Sequence, residues 1–239
     1  MRYAWFMTVF RRRATRARRP RTPEGYVPAA GRAAFTGLYD TVVALTMRER
    51  RFRGDLADRL LADAGADGAQ LRVADIGAGT GTFAIALATR GAQVDAVDGD
   101  AEVLARARRK PGADQVSWHE GRADALPLAD ASVDRVVCSL VLHHLADADK
   151  HAALAEAHRV LRPGGRLHIA DWGAPRDPAM PVAFRILQLV DGRTTTQAHA
   201  DGLVPGFISR AGFASVRVDD RLRTVWGQLE LLSATKHAA

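Results

Sequence analysis

A single cysteine, Cys138, in 239 residues excludes an intramolecular disulfide and any multi-cysteine metal site. No apolar run approaches the ~20 residues that a bilayer-spanning helix needs, and the stretch from Tyr3 to Phe10 is far shorter. That stretch precedes its neighbouring arginines and no small-residue cleavage site follows it, the reverse of a secretory leader. The expectation is a cytoplasmic protein with no membrane span. Acidic residues are absent from the first 22 positions, which carry Arg2, Arg11, Arg12, Arg13, Arg16, Arg18, Arg19 and Arg21. Taking these eight from the 34 lysines and arginines leaves 26 against 27 acids, so the net charge of +7 belongs to the tail. The body is near neutral, and a nucleic-acid partner is not expected of it.

What is present divides the chain in three. Residues 1–30, rich in arginine and then punctuated by Pro20, Pro23, Gly25 and Pro28, read as a disordered basic tail. Residues 31–66 read as two helices. The first carries Phe35, Leu38, Tyr39, Val42 and Leu45. In the second, Phe52, Leu56, Leu60 and Ala64 recur every four residues, with charged side chains on the other faces. Residues 67–239 form the main body, within which 174–205 reads as a lid-like insertion.

The body is organised around Val73-Ala74-Asp75-Ile76-Gly77-Ala78-Gly79-Thr80-Gly81-Thr82. An apolar strand ending at Ile76 runs into three glycines at alternate positions and then a helical run. Such a junction offers bare backbone and unsatisfied N–H groups to an electron-rich ligand. Strands are expected at Gln93–Asp98, Gln115–His119, Val133–Ser139 and Arg166–Asp171, alternating with a helix at Ala101–Arg109 and one capped by Asp147, running through Leu161 and closed by the turn Arg162-Pro163-Gly164-Gly165. Short links between them imply a doubly wound, mostly parallel sheet of the α/β class. Two further strands, Phe213–Asp219 and Leu222–Thr235, are too close for a crossover helix and fit an antiparallel hairpin.

A dinucleotide fingerprint places glycine or alanine where this chain has Thr82. The Asp-x-Gly-x-Gly-x-Gly pattern instead resembles motif I of the class I S-adenosylmethionine (SAM)-dependent methyltransferases. The resemblance extends through Gly121-Arg122-Ala123-Asp124-Ala125-Leu126-Pro127, Ser139-Leu140-Val141-Leu142-His143-His144-Leu145 and Arg159-Val160-Leu161-Arg162-Pro163-Gly164-Gly165. It covers roughly residues 35–235 and is closest to the small-molecule subgroup. It implies a Rossmann-like sheet of seven strands, the last antiparallel and inserted near the edge. It also implies that SAM is the cofactor and that a small organic or lipid-like molecule is the acceptor.

Site residues follow from the resemblance. Asp75, Gly77, Gly79, Thr80 and Gly81 line the amino-acid half of the cofactor. Asp98 accepts from both ribose hydroxyls, and Gly99 stands where many relatives carry a larger residue against the adenine. Asp124 takes the adenine amine and the Ala125 N–H meets a ring nitrogen. Ser139 and Leu140 lie beside the sulfonium. His143 or His144 is the candidate base, since an unperturbed imidazole titrates near neutrality. Tyr39, Trp172 and Phe184 are candidate substrate-pocket residues, and Tyr39, Arg48 or Arg53 is placed to meet the methionine carboxylate.

Absent motifs narrow the acceptor. No Asp/Asn-Pro-Pro-Tyr/Phe follows the fourth strand, Cys138 lacks a following proline, and the fifth strand ends Asp171-Trp172-Gly173 without an Asp-Asn pair. Base methylation and Mg²⁺-dependent catechol-type chemistry are thereby disfavoured, and no histidine spacing suggests a metal. Two alternatives stay open. One is an NAD(P)-dependent oxidoreductase, for which Asp98 is well spaced from Gly77. The other is a non-catalytic SAM-binding module recruited to nucleic acid by the tail. Oligomeric state is left open.

Overall fold

The computed structural model describes residues 49–62, 70–176 and 192–238, together with Met180, Phe184 and Gln188. The basic tail, the first N-terminal helix with Tyr39 and Arg48, and most of the apolar run 180–190 lie outside the described residues. Helix α1 (Glu49–Leu61) is followed by β1 (Arg72–Ile76), α2 (Thr82–Thr89), β2 (Gln93–Asp98), α3 (Ala101–Ala107), β3 (Val116–Glu120) and β4 (Val133–Ser139). A 3₁₀ turn (Leu142–His144) leads into α4 (Asp147–Val160) and β5 (Leu161–Gly173). Helices α5 (Arg193–Ala200) and α6 (Val204–Arg210) precede β6 (Ala214–Arg223) and β7 (Gln228–Thr235).

The strands form one seven-stranded sheet in the order β3-β2-β1-β4-β5-β7-β6. Strands β1 to β5 pair in parallel, while β7 runs antiparallel to both β5 and β6. One reversed strand is thus inserted beside the edge, as the resemblance implies. The strands in the middle of the sheet are buried on both faces and are nearly continuous in apolar residues, as in Val-Asp-Arg-Val-Val-Cys-Ser of β4.

Two apolar layers cover the faces. On one, Phe52, Leu56 and Leu60 of α1 and Phe83 and Leu87 of α2 pack with Val73, Val137, Trp172, Leu229 and Leu231. On the other, Leu154, Ala157 and Val160 of α4 and Phe207 and Ile208 of α6 pack on Ile76, Val136, Cys138, Ile169 and Leu232. The four-residue spacing read in α1 is therefore its buried stripe.

Two local expectations are corrected. Asp147 does not cap α4: the cap position is Ala146, with no side-chain bond, and Asp147 pairs with the buried ammonium of Lys150 at 2.8 Å. Arg162-Pro163-Gly164-Gly165, expected as a turn, belongs to the start of β5. The Lys236 N–H donates to Gly165 O at 2.9 Å and the Gly164 N–H donates to Lys236 O at 3.0 Å, so the C-terminal segment pairs with these glycines, Gly164 keeping a left-handed φ of +77°.

Candidate active site

The parallel order β3-β2-β1-β4-β5 brings the carboxyl ends of five strands to one edge, with the order reversing about β1. The motif I turn is laced to its neighbour there. Gly77 and Ala78 N–H both donate to Val97 O (2.8 and 3.1 Å), and Gly79 N–H donates to Asp98 Oδ2 at 2.7 Å. Asp100 N–H donates to Asp98 Oδ1 at 2.9 Å, while the Asp100 side chain caps α3 through Glu102 and Val103 N–H. Lys110 braces the turn from outside, donating to Thr80 Oγ1 and Thr82 Oγ1 at 2.9 and 2.8 Å.

The three glycines do different work. A Cβ on Gly77 would collide with the Val141 side chain, and one on Gly81 with the Trp118 ring. At these two positions the missing Cβ makes room for the protein's own packing. Gly79 alone of the three has nothing within 4 Å of its missing Cβ, and at φ +56° it holds a left-handed conformation that other residues resist.

The three carboxylates expected around the cofactor end β1, end β2 and follow β3. Asp75 is buried, and its Oδ2 has no hydrogen-bond partner. Burial lifts its pKa to about 7; Arg53 of α1 pulls it down and Asp98 pushes it up. A buried carboxyl short of one partner at the mouth of the glycine turn fits an incoming ammonium group. Asp98 is raised by burial, against the pull of the Asp100, Gly79 and Gly99 N–H groups. Both of its oxygens already staple the turn, and a carboxylate's four acceptor sites leave room for a hydroxyl beside these N–H groups.

Asp124 is held by Arg122 through two bonds of 2.8 Å, which lower its pKa. Ala125 N–H donates to Arg122 O at 3.1 Å. The N–H expected to meet the adenine ring thus donates within the Arg122–Ala125 turn in the ligand-free chain.

Beyond β4, Ser139 Oγ is buried without a partner, and Leu140 has φ +58°, an unusual conformation for a side chain with a Cβ. Leu140 N–H still reaches Ala170 O at 2.8 Å, so the bend is locked to β5. The 3₁₀ turn then places His143 on Asp171. Nδ1 lies 2.7 Å from Oδ1, the His143 N–H donates to Oδ2 at 3.3 Å, and Trp172 N–H donates to Oδ1 at 2.8 Å. Asp171 has no solvent exposure. Burial alone would raise its pKa, but the charges of His143 and His199 and the hydrogen bond from His143 hold it well below the carboxylate range.

His144 stacks on His143 with ring centres 3.9 Å apart, and burial with its neighbour's charge lowers its pKa to about 3. The two candidate bases therefore separate: His143 has a carboxylate partner, and His144 is a neutral packing group. Trp172 and Phe184, expected in a substrate pocket, sit at 3% and 2% exposure in the core with Phe52 and Leu229. Tyr39, the third residue expected there, lies outside the described residues. Sequence reasoning passed over Asp171, His199 and Arg122 as site residues. The signal for Asp171 was a carboxylate continuing the apolar alternation Leu167, Ile169 on one face of β5. His199 left no such mark.

Among the described residues no cluster of three or more His, Cys, Asp or Glu is placed to hold a metal ion, and no helix is long and apolar enough to cross a membrane.

A strand-end glycine turn, an acid closing the second strand and an acid after the third lie where the methyltransferase resemblance expects them. Comparison with known proteins agrees. Residues 74–169 match the family model described as a methyltransferase domain. The demethylmenaquinone methyltransferase of Deinococcus radiodurans is 42% identical over 119 residues, 48% of each chain. That of Thermus thermophilus is 35% identical over 150 residues, 56% of this chain and 67% of the relative. Magnesium protoporphyrin IX methyltransferase from Synechocystis, solved with bound SAH, superposes with a TM-score of 0.63 at 22% identity, over 79% of this chain and 83% of that one. The chain belongs to the class I SAM-dependent methyltransferases, whose cofactor is SAM. It spans about half the length of the first curated relatives it matches.

Proposed function

We propose that this chain transfers a methyl group from SAM to a small organic acceptor that must lose a proton as it reacts, and that His143 takes that proton. What carries this reading is the 2.7 Å bond from His143 Nδ1 to the fully buried Asp171 carboxylate at the end of β5. An ionised carboxylate only accepts, so Nδ1 bears the hydrogen and the basic lone pair lies on Nε2. A base is needed where the acceptor is an unactivated hydroxyl or a carbon acid. The relatives named as demethylmenaquinone methyltransferases support a hydroxylated aromatic ring of the quinol type as the acceptor.

SAM supplies a methyl group on a positively charged sulfur. Around it, Asp75 holds the ammonium, Asp98 the ribose hydroxyls, and Asp124 with Ala125 the adenine edge. Gly79 leaves open backbone beside the cofactor, and Ser139 and Leu140 lie at the sulfur. Arg53, which acts on Asp75 from α1, supports the placement of the N-terminal helices over the methionine end. Alignment of acceptor and donor supplies most of the rate, up to ~7–11 kcal/mol of the barrier. The near-neutral body supports a small-molecule partner and no nucleic acid.

The test is mass spectrometry of purified chain with SAM and a panel of hydroquinones, phenols and carbon acids. A product heavier by one methylene is expected from at least one acceptor. His143→Gln and Asp171→Asn are expected to lower kcat by about 10²–10⁴-fold with little change in the affinity for S-adenosylhomocysteine. Binding of S-adenosylhomocysteine without transfer to any acceptor would favour the non-catalytic module instead.

A further inference from the structure

The Asp171 carboxylate faces two imidazoles, not one. His199 of α5 is completely buried, its Nε2 is 3.7 Å from Asp171 Oδ1, and its ring stands edge-on to that of His143 with centres 6.2 Å apart. Neither ring nitrogen of His199 has a hydrogen-bond partner. An imidazole buried without any partner is costly to keep, and a leucine or phenylalanine would fill the same space without that cost.

Helix α5 is anchored where this contact requires it. The buried Lys150 ammonium donates to Leu145 O, just after the 3₁₀ turn, and to Thr195 O in α5, each at 2.8 Å. Thr196 Oγ1 closes the first turn of α5 on Gly192 O at 2.6 Å. The helix bearing His199 and the turn bearing His143 are therefore held by one side chain.

Resting on the methyl-transfer reading above, we propose that His199 is a positioning residue for the His143 base, a second imidazole that shares the Asp171 carboxylate and sets how readily His143 takes a proton. At 3.7 Å the His199 Nε2 is beyond hydrogen-bond length of Asp171 Oδ1 but within ion-pair range, so a proton on His199 draws part of the carboxylate charge away from His143. Two imidazolium ions beside one carboxylate repel, so protonation of either ring opposes protonation of the other. The further groups facing this cluster are His144 on the 3₁₀ turn, Cys138 on β4, and Glu230 on β7 opposite Asp171, itself paired with Arg221 at 2.9 Å. None of them bonds to His199.

The experiment is a pH titration of the imidazole nitrogens by NMR in the full chain, without acceptor, for wild type, His199→Phe and His199→Gln. In wild type, His143 and His199 should titrate as a coupled pair, with His143 protonated on Nδ1. In His199→Phe the His143 pKa should rise by about one unit, and the acidic limb of the kcat profile should move up with it. His199→Gln keeps an N–H near Nε2 and should return His143 most of the way. Independent titration of the two rings in wild type would overturn the proposal even if neither variant folds. An unshifted His143 in a folded His199→Phe variant would overturn it as well. Coupled titration in a chain that methylates nothing would keep the coupling of the two rings but overturn the methyl-transfer reading, and with it the role of His199 toward a base.

Discussion

Asp75 shows how one side chain can cost stability and serve binding. Its carboxyl is buried with one oxygen unpartnered, and its pKa is lifted to about 7 by burial. A carboxyl whose folded pKa exceeds its unfolded value of 3.8 loses stability as pH rises from about 4 to 7. Asp75→Asn is thus expected to stabilise the ligand-free chain at pH 8 by about 1–3 kcal/mol. The same change should weaken S-adenosylhomocysteine binding at least tenfold, by removing the partner of its ammonium. Denaturant titration and calorimetry read the two effects separately. A variant that gains stability and keeps its affinity would show that Asp75 touches no ligand. A simpler case is Ala131, at φ +47° on an exposed turn, whose N–H meets Arg159 O at 3.0 Å. Ala131→Gly removes the left-handed penalty, and a gain of up to about 1 kcal/mol is expected from thermal denaturation.

At the scale of elements, the segments after β3 and at the end of α4 act as one unit. Arg159 takes Glu156 with both edges of its guanidinium (2.7 and 2.8 Å), donates to Leu128 O and Leu126 O, and pairs with Asp130 at 2.6 Å. Glu156 Oε2 in turn accepts the Leu126 N–H at 2.7 Å. The Leu126-Pro127 and Arg159-Val160-Leu161 motifs, far apart in sequence, therefore describe the two sides of one joint that holds the Asp124 loop. Arg159→Ala should cost about 1–2 kcal/mol, the group being partly exposed, and should speed hydrogen exchange at Leu126. Lysine should not rescue it, because the paired contacts need a planar fork. Protection at Leu126 equal to wild type would dissolve this coupling.

Elements of this kind were legible in the sequence to different degrees. The parallel strands and α1 announced themselves by period and by turn residues, and β7 was placed by its short link to β6. Helix α5, Arg-Thr-Thr-Thr-Gln-Ala-His-Ala, was not foreseen because β-branched threonines are weak helix formers and its stability comes from packing. The glycine turn and the placing of Asp75, Asp98 and Asp124 at and after the strand ends were legible because a recurrent motif fixes their spacing. Asp171 and His199 were not, because their meeting depends on tertiary placement of two elements more than twenty residues apart. Gly77 and Gly81 carried a visible pattern, but their reason, Val141 and Trp118, lies in distant parts of the chain.

Over the whole molecule, buried titrating groups oppose one another in acid. Burial lowers His144 to about 3 and, with Arg135 as a further cause, His168 to about 4. A histidine whose folded pKa lies below its unfolded value of 6.5 binds fewer protons when folded, so stability is full above pH 6.5 and falls toward pH 4. Asp75 works the other way across nearly the same range. Asp98, also raised by burial, acts in the same sense as Asp75, while Asp171, held low, acts with the histidines and loses its contribution in acid. His168→Leu is expected to flatten the dependence between pH 6.5 and 4, measured by urea denaturation at a series of pH values. An unchanged slope would place the acid sensitivity elsewhere.

The glycine turn and the acids at the ends of β1, β2 and β3 are held to converge on one adenosyl ligand, and calorimetric titration with S-adenosylhomocysteine tests this most directly. Wild type is expected to bind one equivalent, Asp98→Ala to bind at least tenfold more weakly, and NADH to give no heat. Binding of NADH in place of S-adenosylhomocysteine, or an Asp98→Ala variant that binds as tightly as wild type, would contradict it.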